Sequence, residues 1–412
     1  MVVPQVGDAF GQERILTHSC RLLIEAGCAV SVVADRQVGE APAGVQVHLI
    51  PGLSSFHNLS SPVVVRRAVS ELQRFVAGFD PDILHWHDCF DARFVQGVSD
   101  VAPSVLTAHT VAPSCPSSAR LVPGASHCER KSGWACLAHN AEYGCLGFLK
   151  SDLHRAHAIY NYLSRRRALQ KHMRYVLCIS DYVTQTLARD GWDPARLRSV
   201  PNPVLVPPPQ TIEVPNPLFV FAARLSPLKG LRDLLHALRL LRHRSWNMWV
   251  CGDGAERAAL EQLCHSLELK ARVKFLGRTS PERTASILAS ATALIAPNQG
   301  PETFGLSVAE ACAYGLPVVA YDVPALNEMI KNGETGQTVR LGDRAALARA
   351  LSRVLDQPEI AKEMALRAQT LVRERFSGPA HLAALLGAYT EAAGVPQSAG
   401  ILWPAEQPLV TP

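Results

Sequence analysis

The sequence predicts an α/β protein made of two doubly wound parallel-sheet domains, and three observations carry that prediction. Short apolar or β-branched runs alternate with helical stretches along most of the chain, the pattern of strands buried on both faces and joined by crossover helices. The alternation is interrupted at 201–217, where seven prolines can join neither a helix interior nor a central strand. The 412 residues suffice for two domains of ordinary size.

In the first half, buried strands are predicted at 28–34, 45–50, 82–86, 104–108 and 174–179, with helices at 13–26 and 63–79. The strand ahead of them can only be 1–4, short for the first strand of such a sheet, which leaves open a native start upstream of Met1. The second half predicts strands at 218–222, 247–251, 273–276, 293–296 and 317–321, then helices at 359–375 and 379–393. The expected organisation is a first domain at 1–200, a linker at 201–217 and a second domain at 218–376. A terminal helix at 377–394 is expected to pack back on the first domain, followed by a poorly ordered tail at 395–412.

A hydrophobic content of 48% with 19% charge describes a soluble globular chain, and a net charge of +5 suits an anionic ligand or membrane surface without requiring one. No nucleic-acid partner is expected. The start lacks a basic signal-peptide region, and no apolar run approaches the ~20 residues of a membrane span, so a cytoplasmic location is expected. Eleven cysteines cannot all pair. Cys178, Cys251 and Cys312 lie in apolar segments and read as small buried hydrophobes.

The most informative segment is Pro-Glu-Thr-Phe-Gly-Leu-Ser-Val-Ala-Glu-Ala, 301–311. Glu302 lies on a loop feeding a helix, and Glu310 sits among apolar and small residues, where a carboxylate needs a partner. Between them, Phe304, Gly305 and Leu306 open the helix, a position suited to an anion. Arg224 and Lys229 follow the strand at 218–222 ahead of another helix, a pair of cations suited to a diphosphate. Gly252 and Gly254, after the next strand, allow a tight turn and a close backbone approach to a ligand. Gly277 and Arg278 end a third strand, where a flat base could rest. The blander readings are a solvated basic loop, an ordinary βα turn, and a helix-start acid beside a structural ion pair.

Together these motifs, with Gly-Leu-Pro-Val-Val-Ala at 315–320, resemble the retaining glycosyltransferases of family 4. The resemblance is specific over about 200–340 and looser elsewhere. It implies the GT-B fold, two Rossmann-like domains facing across a cleft. It also implies a UDP- or GDP-linked sugar donor, a glycan or lipid-linked acceptor and no required metal. By the resemblance, Arg224 and Lys229 neutralise the donor diphosphate and Glu302 contacts the transferred sugar. The amides of Phe304, Gly305 and Leu306 meet sugar and phosphate, and Glu310 accepts from the ribose diol.

His109 ends a predicted strand, and the resemblance makes it the histidine near the reacting sugar. His85 and His87 end another strand and read as cleft lining, with a metal pair as the alternative. Gly7 and Gly11 fit the family's glycine-bearing first loop, although Phe10-Gly11 stands where a Gly-Gly pair is usual. An insertion at 110–150 carries Cys115, Cys128, Cys136 and Cys145 with His127 and His139. Its spacing lacks a C-x₂-C pair, and structural zinc, disulfides and free thiols all stay open. Basic residues over 150–174 suit a helix on an anionic surface, so peripheral contact with the inner membrane face is a further expectation. The expected function is retaining transfer of a hexosyl group from a nucleotide diphosphate sugar to a hydroxyl. The rivals are a nucleotide-sugar epimerase or hydrolase of this architecture and a non-catalytic nucleotide-sugar-binding subunit.

Overall fold

The computed structural model describes residues 1–7, 11–53, 62–87, 92–117, 120, 128, 130–146, 149, 151–215 and 217–395. The chain divides into two compact units, Met1–Pro203 with Gly378–Pro412, and Val204–Ser377.

In the first unit the order is β1 (Val2–Gly7), α1 (Gly11–Glu25), β2 (Ser31–Val38), β3 (Gln46–Leu49), α2 (Pro62–Phe79), β4 (Leu84–His87), α3 (Ala92–Val98) and β5 (Ser104–Ala108). It continues with α4 (Cys136–Tyr143), α5 (Asp152–His172), β6 (Met173–Cys178), α6 (Asp181–Arg189) and β7 (Leu197–Ser199). The strands form a parallel sheet in the order β3-β2-β1-β4-β5-β6-β7. The central strands β4 and β5 are buried at every position, which is why they read as apolar runs.

The second unit runs β8 (Leu218–Ala222), α7 (Leu231–Leu240), β9 (Asn247–Cys251), α8 (Arg257–Ser266), β10 (Val273–Gly277), α9 (Pro281–Ser290) and β11 (Ala293–Ala296). Then come α10 (Leu306–Ala313), β12 (Val318–Tyr321), β13 (Gln337–Val339), α11 (Arg344–Asp356) and α12 (Pro358–Phe376). Its parallel sheet has the order β10-β9-β8-β11-β12-β13. The chain then returns to the first unit as α13 (Gly378–Ala393). There Leu385, Ala388 and Ala392 pack with Val105, Leu177 and Val200. Strand order reverses between β1 and β4 in one sheet and between β8 and β11 in the other. Such reversals are where open α/β sheets hold ligands.

Several expectations are corrected. β1 covers six residues rather than 1–4, because Gln5, Val6 and Gly7 continue the pairing with Arg36, Gln37 and Val38 of β2. That pairing also carries β2 to Val38, past the apolar stretch that suggested 28–34. The edge strands β7 and β13 were not predicted; three residues each are too few to show a period. The basic helix stops at His172, and Arg174 belongs to β6. The boundary between the two units falls within the proline-rich stretch. Residues 201–203 belong to the first unit, and the rest lies on the second. There Val204 N donates to Phe376 O (2.7 Å), Gln210 N to Ser286 Oγ (3.0 Å) and Tyr314 OH to Pro207 O (2.5 Å). The tail at 396–412, His127 and Lys150 lie outside the described residues.

Candidate functional site

In the second unit the loops after β8 and β11 flank the strand-order reversal. After β8 the chain passes Arg224 and a short 3₁₀ turn, Pro227–Lys229, before α7. After β11 it passes Asn298, Glu302 and Gly305 before α10. These loops meet: Lys229 Nζ is ion-paired with Glu302 Oε2, and Asn298 Nδ2 donates to the same oxygen at 2.7 Å. Asn298 is buried, and nothing in the sequence singles it out, although it stands four residues ahead of Glu302 in the same loop. Arg224, by contrast, is exposed, and its guanidinium makes no hydrogen bond or ion pair among the described residues.

The β11 loop is fixed from below by Asp233, a buried carboxylate in the first turn of α7. Asp233 accepts from Gln299 Nε2 (2.5 Å), Arg344 Nε (2.6 Å) and Tyr321 OH (3.2 Å). Gln299 is the neighbour of Asn298, so this bond sets the backbone from which Asn298 and Glu302 project. An acid between apolar helix positions, with Leu231, Leu234 and Leu235 around it, is the signal that could have found it.

Gly252 and Gly254 make a close approach to the chain itself. A Cβ on Gly252 would stand 1.9 Å from Ala223 O, and one on Gly254 2.2 Å from Leu225 O. The close approach is to the chain's own backbone on either side of Arg224, and Leu225 N bonds Asp253 O at 2.9 Å. Gly252 N in turn donates to Gly277 O at 2.7 Å. The structure therefore gathers the ends of β8, β9 and β10. Arg278 beside them is exposed.

Gly305 caps α10 with φ 89°, and no side chain caps the helix; Val308 N donates to Gly305 O at 3.0 Å, which leaves the amides of Leu306 and Ser307 for another partner. Phe304 is buried, edge-on to Phe376 with centroids 5.4 Å apart, so its ring is core and only its backbone is placed to meet a ligand. Glu310 is half-buried rather than buried, and it has an interacting partner. The surrounding small side chains cover it less than their apolar character suggested.

In the first unit His109 lies just past β5 and is buried. Its Nε2 is 2.9 Å from His87 Nδ1. His85 Nε2 meets Thr107 Oγ1 and its Nδ1 meets Tyr389 OH, both at 2.6 Å. Burial holds His85 and His87 well below the usual imidazole range, so both are neutral. Gly11 opens α1, while 8–10 lie outside the described residues.

Cys115, Cys128, Cys136 and Cys145 are free thiols. Burial, and then the neighbouring cysteines, raise Cys136 and Cys145. Among the described residues no three His, Cys, Asp or Glu side chains are placed to hold a metal. The four cysteines nevertheless lie near enough to act on one another's thiols. The insertion is instead tied down by Asp190. This buried carboxylate accepts from Arg120 Nη2 (2.6 Å), Arg166 Nη1 (2.8 Å), Ser132 N and Ser132 Oγ (2.7 Å each). Arg120 also donates to Cys128 O and Arg130 O. Arg166 is thereby taken from the basic face of α5, and Arg155 pairs with Asp152. No helix among the described residues is long and apolar enough to cross a membrane.

Two family models match the chain: Glycosyltransferase Family 4 over residues 10–205 and Glycosyl transferases group 1 over 207–370. An alpha-D-kanosaminyltransferase of Streptomyces kanamyceticus is 30% identical over 178 residues, 43% of this chain and 46% of that protein. A phosphatidyl-myo-inositol mannosyltransferase of Mycobacterium leprae is 37% identical over 131 residues, 31% of this chain and 34% of that protein. The chain thus spans about half or less of the length of these two relatives. The crystal structure of Anabaena HepE in complex with UDP-glucose superposes with a TM-score of 0.67 at 16% identity, over 95% of this chain and 100% of that one. With the two parallel sheets, that likeness shows the GT-B fold.

Proposed function

The chain belongs to glycosyltransferase family 4, and from that premise we propose that it moves a hexosyl group from a nucleotide diphosphate sugar to a hydroxyl acceptor, with retention and without a metal. The observation that carries this reading is the Lys229–Glu302–Asn298 cluster at the strand-order reversal, beside the exposed Arg224 and the uncapped start of α10. A diphosphate entering there offers Lys229 a stronger anion than Glu302. The lysine changes partner, and Glu302, still held by Asn298, is released to accept hydroxyls of the transferred sugar. Arg224, Lys229 and the α10 amides then stabilise charge on the departing phosphate.

In the transfer step the bond from the anomeric carbon to the diphosphate breaks while the acceptor oxygen bonds to the same face. The acceptor proton passes to a phosphate oxygen. Glu310 takes the ribose diol, the backbone at Gly277 and Arg278 receives the base (uridine or guanosine), and Gly11 lies near the phosphates. His109 contacts the sugar near the reacting centre. The acceptor is a glycan or a lipid-linked glycan, and in the latter case the exposed cations of α5 meet the membrane surface.

The test uses the purified chain with UDP- and GDP-hexoses. A bound donor raises the melting temperature, and NMR of the product of an acceptor panel shows a glycoside with the donor's anomeric configuration. An inverted glycoside overturns the mechanism. Release of free sugar or an epimerised donor alone, across the panel, favours the hydrolase or epimerase reading, and donor binding without turnover favours a binding subunit.

A further inference from the structure

Lys229 and Glu302 meet although they belong to segments far apart in sequence. Lys229 closes the 3₁₀ turn Pro227–Lys229, and Ser226 ahead of that turn makes no side-chain cap bond. Glu302 lies in the loop between β11, which ends at Ala296, and α10, which begins at Leu306. A short turn and a loop do not by themselves fix the distance between two charges.

Gln299 fixes it from both its main chain and its side chain. Its N–H donates to Leu228 O at 2.8 Å, which ties the neighbour of Lys229 to the neighbour of Asn298. Its Nε2 donates to Asp233 Oδ2 at 2.5 Å, in the first turn of the helix that the Lys229 turn feeds. Asp233 is buried and held in place, since Oδ1 accepts from Arg344 Nε at 2.6 Å and Oδ2 from Tyr321 OH at 3.2 Å. Gly230 lets the segments come this close. It has φ 71°, and a Cβ there would stand 1.8 Å from Pro297 O and 3.2 Å from Gln299 Cγ. Beyond Gln299 the loop stays against the same turn, because a Cβ on Gly300 would be 3.1 Å from Leu228 Cδ2. One glutamine is thus bonded to the chain just before Lys229 and to the helix just after it, and its own loop runs on to Glu302.

We propose that Gln299 is the positioning residue of this site. It sets Lys229 against Glu302, and with that the ease with which the lysine passes from the carboxylate to an incoming anion. That the anion is the diphosphate of a sugar donor rests on the function proposed above; the setting of the pair does not. When the clasp is slack the two charges drift apart. Lys229 then meets the anion from the wrong place, and charge developing in the transition state loses its counterion.

Two readouts on the full chain test this, with Gln299→Ala and with Gln299→Met, which keeps the length of the side chain and removes its donor. Melting curves establish that each variant is folded, and if one fails to fold the other decides. The first readout is limiting acetylation followed by peptide mass spectrometry, with the exposed Lys331 as internal standard. An ammonium beside a carboxylate keeps its proton and reacts slowly. Lys229 therefore reacts more slowly than Lys331 in wild type, and both variants speed Lys229 alone. An unchanged Lys229 rate in a folded variant overturns the inference, because the pair then stands without the clasp. The second readout is kinetic. Each variant lowers kcat by about tenfold to a hundredfold, the scale of a misplaced reacting group, without raising the donor KM. In the Lys229→Ala background the same substitution costs nothing further, since the residues act as a unit. A loss that multiplies with Lys229→Ala makes Gln299 a residue of the fold alone and overturns the inference. Should wild type use no nucleotide sugar while acetylation responds as stated, the positioning stands and the proposed transfer falls. Should transfer proceed with both readouts indifferent to Gln299, the reverse holds.

Discussion

The two units share a topology and differ in how the groups at the strand-order reversal are satisfied. In the second unit opposite charges answer one another: Lys229 holds Glu302, and Asn298 shares the same oxygen. In the first unit the corresponding place holds neutral histidines and a carboxylate, with His87 Nε2 and Glu13 Oε2 buried and, among the described residues, without hydrogen-bond partners. The contrast separates two ways of holding polar groups at the end of a sheet. Paired charges give up one partner for another, and their binding weakens with salt. A buried atom without a partner gains one only where a group of matching hydrogen-bonding kind can reach it.

The sharpest break in the comparison comes from the dense ionic centre around Asp190 in the first unit. Asp190→Ala leaves Arg120 and Arg166 buried without their carboxylate, a loss of about 3–5 kcal/mol. It appears as a lowered midpoint in urea unfolding, while donor binding by the second unit persists in the fraction still folded. Next in size, Lys229→Ala lowers turnover by roughly a hundredfold to a thousandfold, as loss of one group stabilising transition-state charge does. The melting temperature changes little, because the pair is partly exposed. Nucleotide release under saturating donor measures it, and undiminished turnover removes Lys229 from the site.

The smallest effect is a pH slope confined to the first unit. His381 joins α13 to α1 and to the segment before the crossing, with Nε2 2.9 Å from Ser19 Oγ and Nδ1 2.8 Å from Pro201 O. Burial lowers it to about 4. The unfolded chain therefore takes up a proton near pH 6.5 that the folded unit refuses until about pH 4. The share of the stability that His381 contributes is full above 6.5 and falls by about 1.4 kcal/mol for each pH unit of acidification between those values. Melting temperature against pH shows this slope, and His381→Gln reduces it; an unchanged slope places the acid sensitivity elsewhere among the first unit's histidines.

The sequence was most legible where chemistry and chain geometry coincide. Strands β8, β9 and β11 fall on their predicted positions because each is a clean apolar run between breakers. The Lys229–Glu302 pair joins two motifs already singled out, although nothing in their spacing said that they would bond to each other. Legibility failed where the partner is distant in sequence. Gly252 and Gly254 have the residue type for close approach, but a sequence does not show whether a ligand or the backbone at Ala223 and Leu225 fills the space. Glu13 carries a charge like any other in an amphipathic helix, and only the fold shows one of its oxygens buried without a hydrogen-bond partner among the described residues.

The hydrogen bond from Val204 N to Phe376 O fastens the entry of the second unit to its exit. That unit is therefore a continuous insert, complete once Ser377 has been synthesised. The first unit is interrupted and still lacks α13, with the contacts of His381 and Tyr389, when the insert is already whole. During translation the unit with the ion-paired site can close early, while the histidine-lined one must wait for its last helix.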